Sequence, residues 1–230
     1  VEFVVPRDIS YNPGNGKIIS YFKNNSVDGL GYSNNFIMNG IDTTAAPDST
    51  GPVISLYFDN RNFRTGDLVN QSPKLIADFF DENGLNLTGN IGHKIEAILN
   101  DNENEKIDLT QLYSSTSGYQ NGSLEYSFEN FPEGKHKLEV RAWDTYNNFN
   151  TQIIEFNVKS SSEVALDEVY NYPNPMKNST SFIFQHNLDE SIQADIRIYT
   201  SAGRLIKELN KTNITDKFVN IEWDGTDTDG

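Results

Sequence analysis

The sequence predicts an all-β protein: an immunoglobulin-like antiparallel β-sandwich followed by a smaller β-sandwich. Three observations carry this. Apolar residues recur at every second position in one segment after another, the period of a half-buried strand. Clusters of Gly, Asn and Asp, which form turns readily, separate those segments. No stretch sustains a 3.6-residue period, so helix should fall below about one-tenth of the chain, well under the usual share.

Residues 1–46 hold short apolar runs at 3–5, 17–22 and 35–38, with turns predicted at 12–16 and 28–31. Three short strands cannot bury a core of their own. They are predicted to end a domain that begins before Val1, or to pack on the next one. Residues 42–52, rich in small residues and prolines, read as a linker.

Residues 51–158 carry six alternating runs, at 54–58, 75–80, 95–99, 124–128, 138–142 and 154–158. That number of short strands between turns predicts the immunoglobulin-like sandwich. Ile54, Leu56, Phe79, Ile95, Leu99, Phe128, Leu138, Val140, Ile154 and Phe156 should share its core. Residues 100–113 admit either a seventh strand or a helical turn around Leu109 and Leu112. A second linker at 159–166 contains three serines. The last unit, 165–230, has strands near 182–184, 192–199, 204–209 and 218–223. Ile196 and Ile198 should face inward with Phe182 and Phe184, and Gly203 should turn the chain between two strands.

Composition removes several function classes. The net charge of −15 repels nucleic-acid phosphates and anionic membranes, so no nucleic-acid partner is expected. The absence of cysteine excludes disulfides, thiolate metal sites and a cysteine nucleophile. No apolar run approaches the roughly 20 residues of a membrane-spanning helix. The start of the chain lacks the order of a signal peptide, which suggests a fragment whose export signal lies upstream.

Candidate chemistry is sparse. There is no nucleophile elbow, phosphate loop or paired-histidine zinc motif, and His93, His136 and His186 read as solvated surface imidazoles. No catalytic or cofactor-binding residue is assigned. Acid- and amide-rich clusters at 81–84, 101–105, 144–148 and 224–229 would suit calcium. Asp and Asn also cap turns by bonding their own backbone, and that reading is preferred. Should a cation bind, Asp81 and Asp144 are the candidate ligands, each following an aromatic strand end. Trp143 and Trp223 raise a carbohydrate platform, against the preferred reading of core or rim packing.

The series Pro173, Asn174, Pro175, then Gly203, then Trp223, Asp224 and Gly225 resembles the C-terminal sorting domain of proteins exported by the type IX secretion system. It is similar also to the immunoglobulin-like domain of flagellar hook-capping proteins. The residues at 5–9, 14–18, 81–86, 92–93, 134–138 and 142–148 resemble, in matching order, the region after the catalytic domain of the type IX secretion sortases. Those are gingipain-like cysteine peptidases of Bacteroidetes. The resemblance implies a non-catalytic part of a cell-surface, outer-membrane-associated peptidase. Its implied partners are outer-membrane type IX secretion components, an upstream peptidase domain in cis and exported substrate proteins. The family's catalytic Cys and His have no counterpart here. Family sorting domains continue beyond Trp-Asp-Gly with a further strand, so the last unit is expected to be incomplete. Alternatives are the sorting tail of another exported protein and a carbohydrate- or host-adhesion module.

Overall fold

The computed structural model describes residues 4–227 apart from 8, 10–11, 41–43, 45, 89–92, 161–164 and 189. Those exceptions include part of each predicted linker. Among the described residues the chain is all-β, with sixteen strands and a single short 3-10 turn.

Strands β1 (Gly14–Lys23) and β2 (Asp28–Met38) form a long antiparallel hairpin. Its turn lies at 24–27, where the Asn24 side-chain oxygen accepts the N–H groups of Ser26 and Val27, both at 2.9 Å. The turns predicted at 12–16 and 28–31 belong largely to the strands instead. Their glycines serve cross-strand packing. The Phe22 ring occupies the space a Cβ on Gly29 would need, and Phe36 does the same over Gly16. A bulge gives β2 an extra residue between Ser33 and Phe36. Ile37 therefore shares a face with Tyr32, Leu30, Ile19 and Tyr21, and all five side chains are exposed.

Two sheets make the middle region. β3 (Val53–Phe58), β5 (Lys74–Phe80), β9 (Asn121–Ser127) and β8 (Ser114–Ser117) lie in that order in one. β4 (Leu68–Val69), β11 (Phe149–Val158), β10 (Gly134–Trp143), β6 (Glu96–Leu99) and β7 (Ile107–Asp108) form the other. All pairings are antiparallel except β4 with β11. The facing sides close on one apolar cluster containing all ten predicted core residues, of which only Leu99 is partly exposed. Phe156 packs 4.4 Å from Phe58, centroid to centroid, and edge-on to Phe131. Between 100 and 113 both open alternatives occur: β7, then a 3-10 turn at Thr110–Leu112, with Leu109 fully buried.

The C-terminal region has fewer strands. β12 (Leu166–Tyr172), β13 (Thr180–His186) and β16 (Phe218–Trp223) make one sheet, and β14 (Ile192–Tyr199) with β15 (Leu205–Ile214) the other. Its buried apolar cluster is small: Phe184, Ile214, Val219 and Ile221, with Ile192, Ala194, Ile196 and Leu209 partly covered. On the side where β12 and β14 leave their outer edges unpaired, a groove of about 910 Å³ opens between Val169, Tyr170, Phe182, Phe184, Ile192 and Ile196. Gly203 takes φ +85° in the β14–β15 turn, a backbone conformation glycine adopts at little cost.

The two stacks meet at a polar joint. Gln185, nearly buried, accepts the Leu68 N–H at 3.3 Å and donates to Asp67 at 2.7 Å. Lys217 pairs with Asp59 at 2.6 Å, and the Arg64 guanidinium lies over the Phe218 ring. Asn187 is fully buried and donates to the Ser160 carbonyl at 2.7 Å.

Candidate functional site

The turns after β5 and β10 bring Asp81 and Asp144 to one pole of the middle region, as the aromatic strand ends suggested. A third carboxylate joins them. One oxygen each from Asp48, Asp81 and Asp144 lies within 4.8 Å of the others. Asp48 escaped the sequence reading because it sits in the linker, far along the chain from both partners. Its only local signal is the Asp-Ser-Thr turn, in which its Oδ1 accepts the Thr50 N–H and hydroxyl at 3.0 Å.

Each carboxylate also does turn work. Asp144, fully buried, accepts the Tyr146 and Asn148 N–H groups at 2.8 and 2.7 Å and the Asn148 side-chain amide at 2.8 Å. Asp81, 5% exposed, accepts the Asn83 N–H at 2.8 Å. Asn83 in turn donates its side-chain amide to Asp48 at 2.6 Å. Capping and clustering therefore coexist, and the choice posed from sequence is not exclusive.

The electrostatics distinguish the three. Burial pushes the Asp81 carboxyl up to about 6; the Asn83 N–H opposes this, and the charges of Asp144 and Asp48 add to it. Asp48 is held below its ordinary value, chiefly by the Thr50 N–H. Among the described residues no Lys or Arg ion-pairs with any of them. Two oxygens on one calcium lie no more than about 5 Å apart, so the spacing fits a hard cation. A proton held on Asp81, whose carboxyl is pushed up, would relieve the same crowding of charge.

The other acidic clusters have ordinary explanations. Asp101 pairs with Lys137, and Glu103 with Lys106 and Arg141. Asp224 caps Thr226, and residues 228–229 lie outside the described part.

Two of the three histidines are not on the surface. His136 is 8% exposed, flat against Phe156, with one ring nitrogen on the Pro132 carbonyl and the other on the Asn100 amide. His186 is buried between the Asp216 carbonyl and the Leu188 N–H. Both imidazoles are in phase with the apolar face of their strands, Leu138 and Val140 for one, Phe182 and Phe184 for the other. That signal was present in the sequence. The contacts described for each are with backbone groups, an amide or aromatic rings, as in a packed imidazole.

The residues that resemble a sorting domain gather, apart from Gly203, at one end of the C-terminal stack. The buried Thr180 hydroxyl donates to the Pro173 carbonyl at 2.9 Å and accepts from Asn171 at 3.2 Å. Thr180 is the register partner of Trp223, which stacks on Phe182 and donates its indole N–H to Thr226 at 2.8 Å. Gly225, at φ +84°, faces Met176 so closely that a side chain would displace it. Pro173, Asn174, Pro175, Asp224 and Gly225 thus flank one strand start, and Gly203 lies in the β14–β15 turn. Trp143 is half-buried between His93 and Phe149.

No family model and no curated protein matches the chain. Among solved structures it is similar to dimeric latent PorU from Porphyromonas gingivalis, at 28% identity and a TM-score of 0.50. The likeness covers 99% of this chain and 22% of that one, so the chain spans about a fifth of the solved protein.

Proposed function

We propose that this chain is the non-catalytic C-terminal region of a cell-surface cysteine peptidase of the type IX secretion-sortase kind. In this reading it positions the peptidase and docks it to outer-membrane secretion components. The observation that carries most weight is the PorU likeness over 99% of the chain at 28% identity. A chain without cysteine cannot supply a thiolate nucleophile, so catalysis belongs to a peptidase domain joined in cis, where exported substrates are processed. The three-unit division, 1–46, 51–158 and 165–230, agrees with one large apolar cluster, one small one and a hairpin with little core. The exposed stripe of Ile19, Tyr21, Leu30, Tyr32 and Ile37 suits packing against the upstream domain. Residues 165–230 serve as the sorting-type, hook-cap-like unit, with Pro173–Pro175 and Trp223–Gly225 shaping its end.

Deleting residues 51–227 from the full gene should leave exported cargo with its sorting domains attached, while the peptidase is still made. Normal cargo processing and surface attachment after that deletion would refute the reading. Release of 165–230 by cleavage near 159–166 during export would make the chain the tail of an ordinary exported protein instead. Trp143 and Trp223 both take part in packing, which gives the glycan-adhesion alternative less support.

A further inference from the structure

The chain meets the middle region at one pole and leaves it at the other. Where it enters, Asn148 and Asn150 donate to the Asp48 and Pro52 carbonyls at 3.3 and 3.0 Å. β11 starts at that pole with Phe149 and ends at Val158, paired with Val69 just past the 59–68 loop. Its ten residues, at roughly 3.3 Å each, set the poles about 30 Å apart. The exit is tied down. Lys159 donates its N–H to the Val69 carbonyl, and Ser160 donates its own to the Glu133 carboxylate, both at 3.0 Å.

Two amide side chains of the C-terminal stack reach this exit pole. Gln185, in β13, and Asn187, just after it, are 4% and 0% exposed. Gln185 uses both ends of its amide on the 59–68 loop, at Leu68 and Asp67. Asn187 does the same at the linker. Its N–H group donates to the Ser160 carbonyl at 2.7 Å, and its oxygen accepts the Ala165 N–H at 2.9 Å. The two ends of the linker thus close on one side chain, whatever path 161–164 take between them. Beside them His186 donates its N–H to the Lys217 carbonyl at 3.0 Å, and the Lys217 ammonium holds Asp59. Units joined by a small interface ordinarily shift against one another. Apolar faces can slide, because their attraction has no direction. Hydrogen bonds weaken steeply with angle, and a buried amide that loses its partner bears the full desolvation cost. Turning the C-terminal stack about the linker would break the Gln185 and Asn187 bonds together.

We propose that the polar joint is a fixed coupling, which makes the middle region a rigid spacer. It holds the C-terminal stack about 30 Å from the pole where the chain enters, the length of β11. The stack points in one direction, and residues 159–166 do not act as a hinge. The inference concerns residues 48–227 alone and stands whether or not the peptidase reading is correct.

The cysteine-free chain makes a distance experiment direct. Spin labels go on Ser114→Cys, exposed in β8, and Ser201→Cys, exposed in the β14–β15 turn. Pulsed electron-electron double resonance on the whole chain, diluted with unlabelled protein, should give one narrow distance distribution. Asn187→Ala frees both ends of the linker. Gln185→Leu combined with Lys217→Met removes the ties to the 59–68 loop and leaves the linker bonds in place. Each should broaden the distribution at least twofold. Hydrogen exchange at Val140 and Val219 is followed in parallel to confirm that both stacks stay folded. The combined variant decides if Asn187→Ala does not fold. A distribution already broad in the parent, or one left narrow in the folded variants, would overturn the coupling.

Discussion

The middle and C-terminal regions use the same alternating strands and reach different degrees of closure. In the middle, sheets of four and five strands enclose twenty buried apolar residues among those described. At the C-terminus, sheets of two and three strands enclose four, beside an open groove. Period-two patterning is as clear in β14, where Ile192, Ala194, Ile196 and Ile198 alternate with exposed residues, as in β10. The difference is therefore one of strand number. A strand's inward face becomes dry core only when enough neighbours close over it. The smaller stack compensates in part by leaning on the larger through Gln185 and Lys217.

The sharpest test compares one phenylalanine from each region. Phe156 is fully buried among other rings, and Phe156→Ala should cost about 3–5 kcal/mol by denaturant unfolding. Phe182 lines the groove and is half-buried, so Phe182→Ala should cost only ~1 kcal/mol. Equal costs would mean that the groove is closed in solution. Next in size is the joint. Gln185→Ala strands the buried Leu68 N–H and should weaken the C-terminal stack by roughly 1–3 kcal/mol. Hydrogen exchange should then rise in residues 192–209 and stay unchanged in β10. Faster exchange in both would show that the regions unfold as one.

The carboxylate pole offers a smaller, pH-dependent effect. Asp81 has its folded-state value near 6, above the ordinary 3.8. The folded protein holds that proton more tightly, so the contribution is full below about pH 4 and is lost as pH rises through about 6. Asp81→Asn should thus raise the unfolding free energy above pH 6, by on the order of 1 kcal/mol, and give no gain near pH 4. A gain that is the same at both pH values would contradict the assignment. Smallest of all is the response to metal. If the three carboxylates act as turn caps, chelation should leave the melting temperature unchanged. A rise in millimolar calcium that Asp144→Asn abolishes would instead establish a cation site.

Much of this was legible in the sequence. The six alternating runs and their ten core positions follow from period two alone, as does the scarcity of helix. What escaped had physical causes. β12 was missed because a bulge between Asp167 and Tyr170, with Glu168 at φ +52°, breaks its alternation. The hairpin glycines read as turn residues because nothing local shows that Phe22 and Phe36 lie over them. Asp48 was missed because its partners are distant in the chain. Asp81 and Asp144 were found from their positions at strand ends, a local cue. The burial of His136 and His186 is readable, since each continues an apolar phase, and in both position outweighs polarity.

The joint bears on how this region can be recombined. Small β-stacks at a chain end are natural candidates for transfer between carriers as cassettes. This one is not self-contained: Gln185 and Lys217 find their partners at Asp67, Leu68 and Asp59, outside the unit. A graft of residues 165–227 alone leaves that strip behind. A portable version has to bring residues 59–68 along, or replace the polar face of the joint with one suited to water.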